Sequence, residues 1–360
     1  MKRALNFYAG PAALPLPVLK EAEKNWLNYN GSGMAVMELS HRSKEYDAIH
    51  QKAQDLLRSV LSIPDSYEVL FLQGGASLQF SMVPMNLLTS GKAGNYVLTG
   101  VWSEKALQEA EKVGQVCVAA SSKEENYRHI PKINEIKLSE DAAYLHITSN
   151  NTIYGTQWDH YPTNEAVPLI VDMSSDIMSK RLNIENFDLI YAGAQKNLGP
   201  SGVTIAIINK KLLSHSNPSL PTMLNYNTFA KHDSLYNTPP TLAIYLLKLV
   251  LEWAEQEGGL SVIEKRNEEK AKILYNCIDE SEGFYKGHAE IDSRSKMNVT
   301  FTLKDEETSK QFLQQAKEAG FIGLGGHRSV GGCRASIYNA VPVEHVEQLA
   351  EFMKTFQYKY

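Results

Sequence analysis

One lysine, Lys196, stands in the loop of "YAGAQKNLGPSG", between two short apolar runs. These runs, "FDLIYA" and "VTIAII", are typical of short, fully buried strands. An acid, Asp172, lies at the end of an earlier run in "PLIVDMSS". Because ligands of open α/β sheets bind beyond the carboxyl ends of strands, both side chains are predicted to reach one crevice. The alternatives are a solvated loop lysine and a helix-capping aspartate.

A lysine and an acid in one crevice suit the chemistry of pyridoxal phosphate. The amine can bond to the cofactor aldehyde, and the acid keeps the ring nitrogen protonated so that the ring accepts electrons. A phosphate cradle is offered by "VLFLQGGASLQFSM", in which Gly74 and Gly75 lead into a helix start at Ala76 and Ser77. Free N–H groups at a helix start favour an anion. The pattern is neither a dinucleotide fingerprint nor a P-loop.

Four further residues are candidates for cofactor contacts. Trp102, in "LTGVWSEKAL", precedes a predicted N-cap at Ser103; it is interpreted as a ring that stacks on the cofactor, or as a hydrophobic staple. Thr152 lies in the loop "SNNTIYGT" and offers a hydroxyl. Asn237 and Thr238 precede two prolines and a helix, where a helix cap is the alternative for Thr238.

Two His-Arg pairs and a further arginine form the candidate substrate site. His41 and Arg42 precede a predicted helix, His327 and Arg328 lie in a glycine-rich loop, and Arg334 begins a strand. Surface arginines are often only solvated. Arginine nevertheless forms planar, bidentate pairs with carboxylate and phosphate, so the set suits a small, doubly anionic substrate.

The elements that must position these residues form an α/β pattern. Between about residues 68 and 209 the chain has seven apolar runs: "EVLFL", "NYVLT", "QVCVAA", "AYLHITS", "PLIVDMS", "DLIYA" and "VTIAIIN". Several are separated by helical or turn-rich segments, which predicts a largely parallel sheet. From about residue 260 the pattern changes to that of a smaller α+β domain.

Composition excludes several classes of protein. The 360 residues are 43% hydrophobic and 21% charged, with a net charge of −5, so nothing favours a nucleic-acid or membrane partner. Asn6, Gly10 and three prolines interrupt the apolar N-terminus, which therefore does not resemble a signal peptide. The three cysteines are far apart, and Cys117 is predicted to be a buried, reduced thiol in a cytoplasmic protein. No His or Cys cluster predicts a metal site.

Several motifs together resemble a known family. They are "NFYAGPAALP", "MELSHRSKEY", "FLQGGAS", "VDMSSDI", "YAGAQKNLGPSG", "YNTPPT" and "GHRSVGGCRASIYNA". In this order, and over nearly the whole chain, they are similar to the phosphoserine aminotransferases, which are class-V aminotransferases.

The resemblance implies the aspartate aminotransferase fold (pyridoxal phosphate fold type I), with a mainly parallel seven-stranded sheet and a smaller α+β domain. The large cofactor-binding domain would span residues 16–258, and the small domain residues 1–15 and 259–360. It implies a cytoplasmic homodimer with shared active sites. The reaction would be transamination between phosphoserine and 2-oxoglutarate, giving glutamate, in serine biosynthesis.

The resemblance also assigns roles to the residues that hold the cofactor. Lys196 would be the Schiff-base lysine, Asp172 the partner of the pyridine nitrogen, Trp102 the stacked ring and Thr152 the neighbour of the phenolic oxygen. The phosphate would be held by Ala76, Ser77 and Gln195, with Asn237 and Thr238 of the neighbouring subunit.

For the substrate, Arg334 would take the α-carboxylate. The substrate phosphate, or the γ-carboxylate of glutamate, would be bound by His41, Arg42, His327 and Arg328. Some relatives carry arginine at the position of Ser77, so the substrate phosphate would meet one cation fewer in this chain.

Other activities stay open on the same fold. A cysteine desulfurase needs a mobile, reactive cysteine, for which Cys333 beside Arg334 is the near-site candidate. An alanine–glyoxylate type transaminase has no use for so many cations around a substrate side chain. A non-catalytic binding module is the alternative from another class, since a fold does not by itself give a function.

Overall fold

The computed structural model describes residues 3–163, 167–328 and 330–360. Its strands are, in chain order, β1 (Leu5–Asn6), β2 (Tyr67–Leu72), β3 (Ala93–Leu98), β4 (Gln115–Ser121), β5 (Ala142–Thr148), β6 (Asn150–Asn151), β7 (Thr156–Gln157), β8 (Leu169–Asp172), β9 (Leu189–Gly193), β10 (Thr204–Asn209), β11 (Tyr285–Gly287), β12 (Asn298–Leu303), β13 (Phe321–Ile322) and β14 (Cys333–Ser336). Its helices are α1 (Leu16–Lys24), α2 (Lys44–Leu61), α3 (Gly75–Leu87), α4 (Val101–Glu111), α5 (Lys210–Leu213), α6 (Tyr226–Lys231), α7 (Thr241–Gln256), α8 (Leu260–Asp279), α9 (Glu306–Glu318) and α10 (Val343–Gln357).

All seven apolar runs form one sheet, in the order β2-β10-β9-β8-β5-β3-β4. Strand β10 is antiparallel to both of its neighbours, and the other pairs are parallel. The predicted mainly parallel seven-stranded sheet is therefore confirmed. Thr148 of β5 pairs with Asp172 of β8, which pairs with Tyr191 of β9. Parallel pairing brings these strand ends to one edge, so Asp172 and the loops carrying Thr152 and Lys196 are neighbours.

Helices cover both faces of this sheet, which is why its strands are apolar on both sides. Ile190 belongs to the core that contains Leu57 of α2 and Leu247 of α7. The next residue along β9, Tyr191, belongs to the core on the opposite face, where its ring meets that of Phe80 of α3 edge-on, with the centroids 6.4 Å apart. Successive side chains of a strand point to opposite faces, so one short apolar run contributes to both cores.

A second, antiparallel sheet has the order β11-β12-β14. Its core joins Phe301 of β12 to Phe312 of α9 and Met353 of α10. The N-terminal segment takes part in this core, because Phe7 is buried in it and β1 pairs in parallel with β13. The N-terminal strand therefore packs with the C-terminal part of the chain, and residues 8–15 lead from there to the large sheet.

Two local expectations are wrong. Cys117 is only half-buried, because β4 is the edge strand of the sheet. Trp102 lies inside the first turn of α4 and not before its N-cap, since the helix begins at Val101. The Ser103 hydroxyl caps this turn from within by accepting from the N–H groups of Thr99 (2.9 Å) and Gly100 (3.1 Å).

In the described residues, no helix is long and apolar enough to cross a membrane.

Candidate active site

The centre of the site is Lys196, in the loop between β9 and β10. Its Nζ donates a hydrogen bond to Thr152 Oγ1 at 2.7 Å. The backbone carbonyl of Thr152 accepts from a guanidinium nitrogen of Arg334 at 3.0 Å. Gly10 borders the lysine from the N-terminal segment, where a Cβ at that glycine would lie 3.6 Å from Cγ of Lys196. Several distant parts of the chain thus converge on one amine.

Asp172, the last residue of β8, is buried near this amine. Its Oδ1 accepts from the hydroxyl of Ser174 at 2.6 Å and from the backbone N–H of Ser174 at 2.9 Å. Burial raises the pKa of the Asp172 carboxyl, while the bonds from Ser174 and the charge of Lys196 act in the opposite direction. The negative charge of the buried Asp172 carboxylate is thus stabilised by the two hydrogen bonds from Ser174.

The amine of Lys196 is shifted in the direction that a nucleophile needs. Burial lowers its pKa to about 8; Asp172 opposes that shift, and Arg334 adds to it. An unperturbed lysine has a pKa of about 10.4, so a larger neutral fraction of this amine exists near neutral pH. A neutral amine can attack a carbonyl carbon or accept a proton.

The predicted phosphate cradle lies at the start of α3. Gly74 and Gly75 have φ of 86° and 66°, a left-handed conformation that favours glycine. A Cβ on Gly75 would meet nothing within 4 Å, so the backbone is open to a ligand there. Ala76 and Ser77 lie in the first helical turn, whose N–H groups have no partners within the helix. This geometry suits a phosphate.

Gln195 and Trp102 flank the centre. Gln195 precedes Lys196, and its backbone carbonyl accepts from the N–H of Ala12 at 2.9 Å. The indole Nε1 of Trp102 is buried and has no hydrogen-bond partner among the described residues. The ammonium of Lys105 lies 4.8 Å from the centroid of the Trp102 ring. A cofactor ring stacked on Trp102 would therefore have to use the face opposite Lys105, unless Lys105 moved.

Cations gather on the side of Arg334. The pKa of His327 is lowered by burial and by the nearby charges of Arg334, Arg328 and Lys105. The Nε of Arg334 is buried and has no hydrogen-bond partner within the described part of the chain. Arg328 is exposed to solvent. This side of the site offers positive charge to an anion, from the partly buried Arg334 to the exposed Arg328.

The remaining predicted residues form a second group. His41 Nδ1 lies 3.3 Å from the hydroxyl of Thr238, and the side-chain amide of Gln73 donates to the Thr238 carbonyl at 3.3 Å. Asn237, Thr238 and Arg42 are exposed. Across residues 3–163, 167–328 and 330–360, no hydrogen bond joins this group to Lys196, Asp172 or Thr152. The structure thus brings Thr238 close to the glycine cradle of its own chain, through Gln73.

Sequence reasoning missed several polar residues beneath the site. Asp176 is buried, accepts from the hydroxyl of Ser149 and from the Gln157 amide (3.1 Å), and has its pKa raised by burial to about 6. Asn339 is also buried; its backbone N–H donates to the side chain of Asn197 at 3.0 Å. The "VDMSSD" motif contained the signal for Asp176, a second acid four residues after the first. Nothing comparable marked Asn339.

The donor set fits pyridoxal phosphate. An amine with a lowered pKa, a buried carboxylate and a glycine-bounded helix start are all present at strand ends of the large sheet. The buried, unpartnered N–H groups of Trp102 and Arg334 add donors for a polar ligand among the described residues. No group of three or more acids, histidines or cysteines in the described residues could hold a metal ion.

Comparison with known proteins identifies the family. The family model of the class-V aminotransferases matches residues 4–349. The chain belongs to the class-V aminotransferase family. It is a pyridoxal phosphate-dependent aminotransferase of fold type I, and the predicted family, fold and cofactor are confirmed.

The names of the relatives describe a more specific activity than the family name does. The chain is 63% identical to the phosphoserine aminotransferase of Geobacillus kaustophilus over the full length of both chains. It matches a solved phosphoserine aminotransferase, described for radiation damage of its Schiff base, with a TM-score of 0.98 at 60% identity over both full chains. A pyridoxal phosphate-bound phosphoserine aminotransferase from Trichomonas vaginalis matches with a TM-score of 0.93 at 38% identity, covering 98% of this chain and 100% of that one.

Proposed function

We propose that this aminotransferase moves an amino group between O-phospho-L-serine and 2-oxoglutarate, giving 3-phosphohydroxypyruvate and L-glutamate in serine biosynthesis. The names of the relatives support this assignment. The observation that supports the chemistry is the convergence of Asp172, Thr152 and Arg334 on Lys196.

Lys196 is assigned the covalent and proton-transfer role. When bound, pyridoxal phosphate supplies the aldehyde to which an amine can bond and a ring that accepts electrons. The lowered pKa of Lys196 would let its Nζ act as a nucleophile and as a base that takes a proton from the substrate Cα. In the cofactor-free chain, the hydrogen bond to Thr152 holds the amine in the crevice, where it would meet the cofactor aldehyde.

The remaining cofactor residues are assigned by position. Asp172 would pair with the ring nitrogen, and Thr152 would face the phenolic oxygen. Trp102 would cover the ring. The phosphate would be held by Ala76, Ser77 and Gln195. Asn237 and Thr238 of a second subunit would join them, in addition to the contact that Thr238 makes with Gln73 of its own chain.

The cations provide substrate recognition. Arg334 would form a bidentate pair with the α-carboxylate, and its buried Nε supports that role. His41, Arg42, His327 and Arg328 would bind the phosphate of phosphoserine or the γ-carboxylate of glutamate. The exposure of Arg42 and Arg328 makes both accessible to an anion that enters from solvent.

We also propose a cytoplasmic homodimer that shares its active sites. Exposed apolar side chains close in sequence to His41 and Thr238 support an interface there, since Met37 and Tyr236 are each 46% exposed. Leu27, which is 81% exposed, adds apolar surface.

For the domains, we propose division into residues 16–258 and residues 1–15 with 259–360. The separate core that includes Phe7 supports this division.

The rival activities are less well supported. Cys333 is fully buried, and burial raises its pKa to about 12, so it is not the reactive thiolate that a desulfurase needs. An alanine–glyoxylate transaminase handles substrates without a charged side chain, which would leave the cations around Arg334 without a function.

The proposal is tested by measuring transamination with phosphoserine and with serine, each with 2-oxoglutarate as acceptor. We expect a preference for phosphoserine of at least tenfold in kcat/KM, because a charge-assisted hydrogen bond contributes about 1.5–3 kcal/mol. Alanine with glyoxylate is the control pair. Equal rates with serine and phosphoserine, or faster turnover of alanine, would contradict the proposed substrate. A purified protein without an absorbance band from bound cofactor would support the alternative of a non-catalytic binding module.

A further inference from the structure

The carboxylate of Asp172 is held by one neighbouring residue in an asymmetric way. Both donors from Ser174, its hydroxyl at 2.6 Å and its backbone N–H at 2.9 Å, point to the same oxygen, Oδ1. The hydroxyl in turn accepts from the backbone N–H of Gly193 at 3.1 Å. Gly193 is the last residue of β9, three residues before Lys196. Ser174 therefore links the strand end that carries Asp172 to the strand end that leads to Lys196.

We infer that Ser174 is a positioning residue for Asp172. The two donors of Ser174 fix Oδ1 of Asp172, and this would direct Oδ2 toward the ring nitrogen of the cofactor. This inference rests on the proposed role of Asp172. A hydroxyl has one hydrogen and two lone pairs. Gly193 N–H uses one of the lone pairs, and the single hydrogen of the Ser174 hydroxyl is donated to Asp172.

Ser174 also affects how strongly Asp172 holds a proton. Three charged or titratable groups lie near the Asp172 carboxylate. They are Lys196 in the β9–β10 loop, Asp176 four residues after Asp172, and Tyr191 on β9. Burial favours the protonated acid, whereas both bonds from Ser174 favour the carboxylate. Loss of the hydroxyl removes one of those two bonds, and the acid then keeps its proton to higher pH.

The adjacent serine provides a matched control. Ser175 is buried like Ser174, and its hydroxyl also makes two hydrogen bonds: it donates to the Asn150 carbonyl at 2.7 Å and accepts from the Asn150 amide at 2.8 Å. Neither bond involves Asp172. Ser175→Ala thus removes a buried hydroxyl of similar bonding from the same loop without changing the donors to Asp172.

The first test uses the cofactor-free protein and needs no turnover. The Asp172 carboxyl is followed by ¹³C NMR during a pH titration, with Asp172→Asn used to assign the signal. We expect Ser174→Ala to move the midpoint upward by about one pH unit, which corresponds to one lost bond of about 1.4 kcal/mol. Ser174→Thr, which keeps the hydroxyl, and Ser175→Ala are expected to leave the midpoint in place. An unchanged midpoint in Ser174→Ala would overturn the inference.

The second test uses the loaded enzyme. In Ser174→Ala we expect kcat to fall about tenfold and the acid limb of its pH profile to move upward, while KM for phosphoserine stays within about twofold. Ser174→Thr should restore both, and Ser175→Ala should change neither. A fall in kcat without a shift of the acid limb, or an equal fall in Ser175→Ala, would mean that Ser174 is only structural. If Asp172→Asn itself turns over normally, the proposed role of Asp172 fails, and the NMR result still decides what Ser174 does.

Discussion

The cofactor half and the substrate half of the site are built differently. Lys196, Asp172 and Thr152 lie at the ends of neighbouring strands, and each is held by direct hydrogen bonds or by the charge of the others. Arg42 and Arg328 lie in exposed segments outside the sheet. On the proposed assignment, the chemistry is placed on the rigid scaffold, whereas recognition of the substrate side chain is placed on surface segments.

This difference has a consequence for assembly. Within the described residues, a single chain supplies the amine, the acid and the helix start that fit the cofactor. His41 and Thr238 contact one another, and exposed apolar residues such as Met37 and Tyr236 lie close to them in sequence. A second copy of the chain that covers those residues would bring a further set of cations to each site.

The largest effect is expected at the cofactor half, in Lys196→Ala. Loss of the amine removes both the nucleophile and the proton carrier, so we expect activity to fall by about 10³-fold or more. Borohydride reduction of the wild type followed by peptide mass mapping should place the pyridoxyl group on Lys196. Lys105→Ala serves as the control for the loss of a lysine near the site, because Lys105 lies beside Trp102. Label on a lysine other than Lys196 would contradict the assignment.

Asp172→Asn should separate turnover from cofactor binding. On the proposed assignment, the acid would act on the electron-accepting ring, while the helix start at Ala76 and Ser77 would supply much of the anchoring. We expect kcat to fall roughly 10- to 100-fold, in line with the loss of a charge-assisted bond, and cofactor content to fall by much less. Absorbance of the bound cofactor and the steady-state rate are measured on the same sample. Near-normal turnover would show that Asp172 is not the ring partner.

At the substrate half, effects should be smaller and selective. Arg42→Ala and Arg328→Ala are each expected to lower kcat/KM for phosphoserine about tenfold or more, and to change the rate with serine little. Arg181→Ala is a control, since Arg181 is an exposed arginine that pairs with Glu264. Equal losses on phosphoserine and serine would show that these arginines do not bind the substrate phosphate.

The smallest effect concerns the stability of the cofactor-free protein. Because burial lowers the pKa of Lys196 to about 8, the folded protein disfavours the charged amine. That penalty is fully present below pH 8 and fades as the pH rises toward about 10.4, where the unfolded lysine also loses its proton. Lys196→Met should therefore raise the free energy of unfolding at pH 7, by about 1–3 kcal/mol, and by less at pH 10. Denaturant melts of Lys44→Met provide the exposed control; a gain that does not depend on pH would refute the explanation.

Much of the fold was predictable because each strand of the large sheet is a short apolar run. All seven runs, and the position of Lys196 and Asp172 at strand ends, follow from hydrophobic pattern and sheet topology. The half-buried state of Cys117 was not predictable, since strand order decides which strand is at the edge. Ser174 and Asn339 were missed for a related reason: their partners, Gly193 and Asn197, come from other segments of the chain.

The central claim is that two chains complete each site, and mixed dimers test it most directly. Lys196→Ala and Arg42→Ala protein are unfolded and refolded together in equal amounts, and each is refolded separately as the control. If Arg42 of one chain serves the Lys196 centre of the other, a mixed dimer has one intact site and one site that lacks both residues. Random pairing makes about half of the dimers mixed, so roughly a quarter of wild-type activity on phosphoserine should return. Activity no higher than in the controls, with mixed dimers verified by mass, would contradict the claim and place both residues in a site built by a single chain.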